Sequence, residues 1–195
     1  MSGVAAIILA AGLGSRFGKA PKLLTEWRGK PLVRHVADAA LAARVSPVLA
    51  VVGHRGEEVG AALSGLDLKL VPNSAYAEGL STSLKAGFAA LPLGYDGAVI
   101  LLGDMPLVTP ALIDGLVQAW RRQGEAVAAV PTHAGRRGNP VLLARSLTPE
   151  IALLTGDGGA GPLLRSQTDV LEWPVDDPAI LQDVDTAAAL AALRP

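Results

Sequence analysis

The sequence alternates short apolar runs with segments of helical periodicity, and this alternation constrains the fold more than any other feature. The apolar runs predict buried strands at residues 4–9, 47–52, 69–72, 97–102 and 126–130. Helices are predicted between and after them, at residues 31–43, 57–63, 81–91, 109–123 and 186–193. Strands that alternate with helices form βαβ units. We therefore expect an α/β fold in which helices cover both faces of a mostly parallel sheet.

The run G-A-V-I-L-L at residues 97–102 is typical of a central strand in such a sheet. It is uniformly apolar, as a strand covered on both faces should be. Ligands of open α/β sheets bind beyond the carboxyl ends of the strands. This rule selects three candidate loops, at residues 12–22, 73–83 and 103–106.

Length and composition exclude several functional classes. The 195 residues suffice for one well-buried domain and are few for two, so residues 1–195 are expected to form a single domain. The net charge of −1 gives no global positive field for nucleic acid, and no basic amphipathic helix indicates a membrane surface. The absence of cysteine excludes disulfides and cysteine-based zinc sites. Because the apolar N-terminal run is too short to span a bilayer, a soluble cytoplasmic protein is expected.

A glycine-rich loop at residues 9–18 follows the first predicted strand. Its glycines, at positions 12, 14 and 18, let backbone N–H groups approach phosphate oxygens without a Cβ in the way. Arg16, Lys19 and Lys22 add three cations, and both residue types bind phosphate. The loop therefore predicts a polyphosphate site. The alternative is a glycine-rich turn whose cations are merely solvated.

Two familiar phosphate-binding loops do not fit this segment. A Walker A loop requires glycine at position 13 and a hydroxyl at position 20, where Leu13 and Ala20 stand. A dinucleotide fingerprint requires glycine at position 17, which is Phe17. It also requires an acidic residue after the second strand, where the chain reads G-H-R at residues 53–55. These departures disfavour a nicotinamide-dependent oxidoreductase.

Asp104 lies at the carboxyl end of the predicted central strand, in the sequence G-D-M-P. Mg²⁺ at phosphoryl-transfer sites is held by one or two carboxylates together with phosphate oxygens, so Asp104 is a candidate ligand. The alternative is an Asp that only hydrogen-bonds its own turn. Asp183 and Asp185 precede the last predicted helix and would point to opposite faces of an extended segment. We favour Asp185 over Asp183 as the second metal ligand, with Asp183 as the alternative; the carboxylate that does not face the site could cap the helix through Thr186.

With these residues identified, the chain resembles the MobA-like nucleotidyltransferases, and within them the molybdenum cofactor cytidylyltransferases of the MocA type. The matching blocks occur in order along nearly the whole chain. They are L-A-A-G-x-x-x-R-x-G at residues 9–18, K-L-L at 22–24, Asn73 with G-L-S-T-S-L at 79–84, G-D-M-P at 103–106, G-N-P at 138–140, G-D-x-G-A at 156–160 and D-V-D-T at 183–186. The resemblance implies a three-layer, Rossmann-like fold of the nucleotide-diphospho-sugar transferase type.

The resemblance also implies a role for each matching residue. Arg16, Lys22 and Asp104 would be catalytic, and Asp104 and Asp185 would bind Mg²⁺. The implied nucleotide-binding residues are Leu9, Ala10, Ala11, Gly12, Gly14, Ser15, Arg16, Lys22, Asn73, Gly79 and Ser81. The implied acceptor-binding residues are Asn139, Gly156, Asp157 and Gly159. A nucleotidyltransferase with these residues would need no strong general base, because a phosphate acceptor is already anionic.

The implied substrates are CTP and molybdopterin, and the implied recipient of the product is a molybdoenzyme. Ala11 favours CTP, because cytidylyl-transferring relatives read L-A-A-G where the guanylyl-transferring branch reads L-A-G-G. One departure concerns the acceptor: the family often follows G-D-x-G-A with arginine, and this chain has Gly161. The acceptor phosphate would then be gripped by Arg136, Arg137 or Arg165. GTP as donor, another phosphorylated acceptor, and a non-catalytic nucleotide-binding or chaperone module remain the alternatives.

Overall fold

The computed structural model describes residues 3–14, 17 and 20–193. The ten strands in these residues are β1 Gly3–Ala10, β2 Glu26–Trp27, β3 Lys30–Pro31, β4 Val48–Val52, β5 Lys69–Pro72, β6 Tyr95–Leu102, β7 Ala128–His133, β8 Arg136–Arg137, β9 Val141–Ala144 and β10 Val170–Pro174. The described helices are α1 Leu32–Ala42, α2 Gly56–Ala62, α3 Leu80–Ala89, α4 Pro110–Gln123, α5 Thr148–Leu153, α6 Gly161–Ser166 and α7 Ala187–Ala192.

The main sheet has the order β10-β7-β9-β6-β1-β4-β5, with β8 added against β7. Strand β1 pairs in parallel with both β4 and β6, and the β4–β5 and β7–β10 pairs are also parallel. Strand β9 runs antiparallel to its neighbours β6 and β7. The prediction of a mostly parallel α/β sheet is confirmed.

Helices cover both faces of this sheet, so the fold has the three layers that the sequence predicts. Successive side chains of β1 point to opposite faces, as they must in a strand. Ala6 and Ile8 belong to one buried cluster, which includes residues of α1 and α4. Ala5 and Ile7 belong to the other, which includes residues of α3. Both sets of β1 side chains are therefore fully buried, which explains why the run is uniformly apolar.

The helix boundaries follow from local chemistry that the sequence displays. Helix α4 begins after Thr109, whose Oγ1 accepts a hydrogen bond of 3.2 Å from the backbone N–H of Leu112. Pro110 occupies the first turn, and Gly124 ends the helix with a φ of 76°. No helix in the described residues is long and apolar enough to cross a membrane.

The sequence did not predict β9, β10 or the small β2–β3 hairpin. Strand β9 has only four residues and pairs with β6 and β7 in the antiparallel sense. A run this short is not distinguished by its period from a helix segment or a loop. It matters for function because it brings the G-N-P segment at residues 138–140 to the carboxyl end of β6.

Candidate active site

The candidate site lies at the carboxyl ends of the adjacent parallel strands β1 and β6, where the strand order of the sheet reverses. From β1 the chain proceeds to β4 and β5 on one side, and β6 then lies on the other side. A crevice at such a switch point is the usual ligand site of an open α/β sheet. The glycine-rich loop leaves β1 here and Gly103-Asp104 leaves β6. The backbone N–H of Gly103 donates to the carbonyl of Leu9 at 3.1 Å, so the two loops start together.

The segment 183–185 joins this crevice through its backbone. The N–H of Val184 donates to the carbonyl oxygen of Asp104 at 3.0 Å. The side chain of Val184 is fully buried and belongs to a small cluster with Phe17, from the glycine-rich loop, and Leu32, from α1. Asp183 and Asp185 are therefore held beside Asp104 by the residue between them.

The three carboxylates form an acidic cluster. Asp104, Asp183 and Asp185 each contribute one oxygen, and these oxygens lie within 4.8 Å of one another. The expectation that Asp183 and Asp185 face opposite ways was wrong, because residues 182–185 adopt no regular extended strand. The helix is capped by the Thr186 side chain, which accepts a hydrogen bond from the Ala189 N–H at 3.0 Å.

The cluster fits a divalent metal ion. Carboxylate oxygens are the ligands that Mg²⁺ and related hard cations prefer. The Oδ1 atom of Asp104 is buried and has no hydrogen-bond partner among the described residues. A buried, unpartnered carboxylate oxygen is costly, and a cation would satisfy it. Asp104 and Asp185 are thus placed as a metal pair requires, with Asp183 as a third donor that the sequence analysis ranked lower.

Lys22 lies between two of these carboxylates. Its Nζ is 2.5 Å from Asp104 Oδ2 and 2.5 Å from Asp185 Oδ1, and only 10% of its side chain is exposed. Burial lowers the pKa of Lys22, but the attraction of Asp104 and Asp185 outweighs it, so the pKa lies above its ordinary value. The lysine is therefore a charged ammonium at neutral pH.

Arg16 and Ser15, the other loop residues predicted to meet the triphosphate, lie outside the described residues, as do Gly18 and Lys19. The described part of the loop places Leu9, Gly12 and Gly14 around the crevice. Gly14 has a φ of 60°, and a Cβ there would lie 3.1 Å from the Lys22 Cβ. Glycine at this position therefore lets the loop pack directly on the lysine stem.

Asn73 is buried and organises the neighbouring loop. Its Nδ2 donates to Thr82 Oγ1 at 2.9 Å and to Ser83 Oγ at 3.1 Å, and its Oδ1 accepts from the Ala75 N–H at 3.0 Å. These bonds tie the loop after β5 to the first turn of α3. Ser81 Oγ is buried in the same turn, without a hydrogen-bond partner in the described part of the chain.

Gly79 brings the predicted nucleotide and acceptor segments together. Its φ of 110° suits glycine, and a Cβ at this position would lie 2.4 Å from the carbonyl carbon of Gly156. The same Cβ would lie 2.8 Å from Asp157 Oδ1. Gly159 makes a comparable approach, since a Cβ there would lie 2.9 Å from a Leu80 methyl group. The G-D-x-G-A segment therefore packs on the start of α3.

Two adjoining cavities open on Lys22 and the glycine-rich loop. The first, of about 220 Å³, extends toward α2 and includes Asp104, His54 and Arg55 in its wall. The second, of about 300 Å³, extends toward α3 and includes Tyr76, Gly79, Ser83, Asp157 and Asp185. Both cavities include Gly12, Gly14 and Lys22 in their walls, which suits one extended ligand that passes over Lys22. Ligand pockets usually start at about the size of these cavities.

Some cavity residues were not singled out by the sequence analysis. Tyr76 faces His54 with ring centroids 5.9 Å apart, and both side chains line the crevice. A Cβ on Gly53 would lie 2.7 Å from the Tyr76 Cβ and 2.9 Å from the Ala11 Cβ, so glycine is required between them. Only the position of Gly53 after a strand hinted at this role.

The remaining acceptor candidates divide in two groups. Asn139, in a cis peptide bond with Pro140, donates its backbone N–H to Ile180 at 2.8 Å and lies at the carboxyl edge of the sheet. Arg137 instead pairs with Glu172 at 2.8 Å and with the Leu164 carbonyl at 3.3 Å. These bonds join β8, β10 and α6 through Arg137.

An acidic cluster, a buried lysine and a glycine-rich loop at the switch point of an α/β sheet define a site for a metal-bound polyphosphate. The comparisons with known proteins agree with this class. The chain matches the MobA-like NTP transferase domain over residues 6–170 and belongs to that family, so it is a nucleotidyltransferase.

Two curated relatives show the range of activities around this fold. Nicotine blue oxidoreductase of Paenarthrobacter nicotinovorans is 30% identical over 200 residues, which cover 97% of this chain and 96% of that protein. The bifunctional protein GlmU of Sorangium cellulosum is 38% identical over 133 residues. That match covers 65% of this chain but only 28% of GlmU, so this chain spans about a quarter of that relative.

Solved structures agree over almost the whole chain. Rv0371c of Mycobacterium tuberculosis H37Rv is 27% identical with a TM-score of 0.86, covering 97% of this chain and 96% of that one. Rv0371c has also been solved in complex with manganese. The molybdopterin-guanine dinucleotide biosynthesis protein A of Archaeoglobus fulgidus, at 20% identity and a TM-score of 0.72 over 96% and 95% of the two chains, shares the fold.

Proposed function

We propose that this protein transfers CMP from CTP to the phosphate of molybdopterin in a Mg²⁺-dependent reaction that releases pyrophosphate. The observation that carries the proposal is the Lys22 ammonium between Asp104 and Asp185 at the β1–β6 crevice. This arrangement combines a cation for phosphate with carboxylates for a metal. The family membership supports the same reaction class.

The reaction is a displacement at the α-phosphorus of the nucleotide. An oxygen of the acceptor phosphate forms the new bond to that phosphorus. The bond from the phosphorus to the bridging oxygen breaks, and its electron pair leaves with pyrophosphate. Because the acceptor is already an anion, the chain needs to orient the reactants and to neutralise charge, and it needs no strong base.

We assign charge neutralisation to Lys22 and the glycine-rich loop. The loop backbone offers N–H groups to phosphate oxygens, and the Lys22 ammonium adds a full positive charge. We assign Arg16 the same task from its position in the loop. Asp104 and Asp185, with Asp183 as a further donor, would hold Mg²⁺. A metal bound there supplies Lewis-acid stabilisation of the charge on the phosphates.

The two cavities suggest which end of the ligand goes where. We assign the base to the side of the crevice that Gly79 lines; Asn73 and Ser81 are buried in the neighbouring loop and helix turn. The choice of CTP rests on the family resemblance at L-A-A-G, residues 9–12. Asp157 lies directly against Gly79, so the segments that we assign to the nucleotide and to the acceptor adjoin there.

The decisive experiment measures pyrophosphate release from CTP, GTP, ATP and UTP, each with molybdopterin, a sugar phosphate or a phospho-acid. The proposal expects pyrophosphate with CTP and molybdopterin, loss of activity on chelation, and recovery with Mg²⁺. Preference for GTP would refute the choice of base. Release only with another phosphate would refute the acceptor, and nucleotide binding without turnover would identify a binding module.

The full-length similarity to nicotine blue oxidoreductase favours a second candidate, a redox reaction on an aromatic compound. The position of Phe17 and the absence of an acidic residue after β4 argue against a dinucleotide fingerprint in this chain. Oxidation of NADH or NADPH in the presence of nicotine blue would distinguish the two. The nucleotidyl-transfer proposal expects no nicotinamide oxidation above the background without enzyme.

A further inference from the structure

The ammonium of Lys22 lies in the position where the proposed metal ion would neutralise Asp104 and Asp185. It is 2.5 Å from one oxygen of each carboxylate. The side chain is 90% buried, so water does little to screen this contact. In the described structure, one positive charge from within the chain therefore already neutralises part of the charge on this pair of carboxylates.

A divalent ion and this ammonium compete for the same carboxylate oxygens. Mg²⁺ lies about 2.1 Å from a carboxylate oxygen that it binds. An ion bound to Asp104 Oδ2 would then be at most about 4.6 Å from Nζ, because both cations touch that atom. Two cations this close in a partly buried site repel each other, which disfavours their binding to the pair at the same time.

The Lys22 side chain can also turn toward the two cavities. Its side chain lines both cavities, together with Gly12 and Gly14. The stem packs on Gly14, while the ammonium is at the end of four flexible bonds. A triphosphate bound to the glycine-rich loop would offer anionic oxygens within reach of the same ammonium.

We propose that Lys22 and the divalent cation occupy the Asp104–Asp185 pair in alternation, and that the nucleotide triphosphate drives the exchange by drawing Lys22 to itself. The inference rests on the proposed function, because it assumes the metal and triphosphate sites described there. Nucleotide-free protein then binds divalent metal weakly. The nucleotide releases the carboxylates, so metal and nucleotide binding reinforce each other, and by linkage the coupling is reciprocal.

Asp104 Oδ1 supports the exchange independently of the ion pair. Lys22 contacts Oδ2, while Oδ1 is buried without a hydrogen-bond partner among the described atoms. Lys22 therefore leaves one buried oxygen of the Asp104–Asp185 pair without a hydrogen bond among the described atoms. A metal ion can approach Oδ1 as well as Oδ2, so the exchange replaces a partial neutralisation by a fuller one.

The test is a titration of the nucleotide-free protein with Mn²⁺, in which the free ion is followed by its paramagnetic resonance signal. Lys22→Met removes the ammonium and keeps the stem. We expect its Mn²⁺ dissociation constant to be at least about tenfold lower than that of the wild type. Lys69→Met, which removes one exposed positive charge from β5, is the matched control and should bind Mn²⁺ as the wild type does.

Equal or weaker Mn²⁺ binding by Lys22→Met would overturn the exchange, as would an equal gain in Lys69→Met. If Lys22→Met does not fold, Lys22→Gln carries the same expectation. Pyrophosphate release by the wild type tests the proposed function separately. Lys22→Met could bind Mn²⁺ more tightly while the wild type releases no pyrophosphate. This pair of results would support the competition at the carboxylates and refute the proposed reaction.

Discussion

Replacing Gly79 by alanine tests the contact that joins the two halves of the proposed site. The new Cβ would lie 2.4 Å and 2.5 Å from the carbonyl carbon and oxygen of Gly156. Both are backbone atoms, so a side chain cannot simply turn away. The substitution also places a non-glycine residue at a φ of 110°. We therefore expect Gly79→Ala to lose stability and to push the Gly156–Asp157 turn away from α3.

The magnitude follows from two separate costs. A non-glycine residue in this backbone region costs about 1–3 kcal/mol. Overpacking against backbone adds about 1–3 kcal/mol. Gly94→Ala is a matched control, because Gly94 has a φ of 86° and, within the described residues, a Cβ there meets nothing within 4 Å. Gly94→Ala should therefore lose stability only through the cost of its backbone conformation.

The assay is thermal unfolding together with steady-state kinetics. For a chain of this length, each kcal/mol lowers Tm by about 2–4 °C. We expect Gly79→Ala to melt about 2–12 °C below Gly94→Ala. We also expect the KM for the acceptor to rise at least about tenfold in Gly79→Ala and to stay unchanged in Gly94→Ala. Equal melting temperatures and an unchanged KM would refute the reasoning.

Three further substitutions probe the rest of the site. Asp104→Asn should reduce kcat/KM by about 100-fold or more while the circular dichroism spectrum is preserved, because a metal ligand is lost. Val184→Ala should cost about 2 kcal/mol and weaken Mn²⁺ binding, whereas Val117→Ala in α4 should cost a similar amount and leave Mn²⁺ binding intact. Asn73→Ala should raise the CTP dissociation constant measured by calorimetry, because Ala75, Thr82 and Ser83 lose their shared partner. An unchanged constant would show that this network is remote from the nucleotide.

The sequence predicted those parts of the fold whose signal is local and repeated. The five apolar runs became β1, β4, β5, β6 and β7, and the predicted helices differ from the observed ones by one or two residues at their ends. The period of the side chains and the caps at Thr109 and Gly124 carried this information. Strand β8, with two residues, contains too few side chains for a period to show, and β9 follows it without an intervening helix that would mark a βαβ unit.

The site was predictable residue by residue but not as an arrangement. The glycine-rich loop and Asp104 each follow an apolar strand, so sheet topology alone brings them to the same edge. The approach of Lys22 to Asp185, 163 positions along the chain, has no local signal. Likewise, the placement of Asp183 beside Asp104 depends on one backbone bond from Val184. The alternation of side chains along an extended segment does not predict this placement.

The arrangement also explains why a buried lysine and three carboxylates are tolerated without a ligand. Like charges held within 4.8 Å would repel one another and destabilise the fold. The Lys22 ammonium removes much of that repulsion, and the Val184 backbone and the Phe17–Leu32–Val184 cluster hold the carboxylates in place. The protein is therefore folded around a site whose negative charge is partly balanced by its own lysine. In the exchange that we propose, the triphosphate draws away the same lysine, and a divalent metal ion takes its place at the carboxylates.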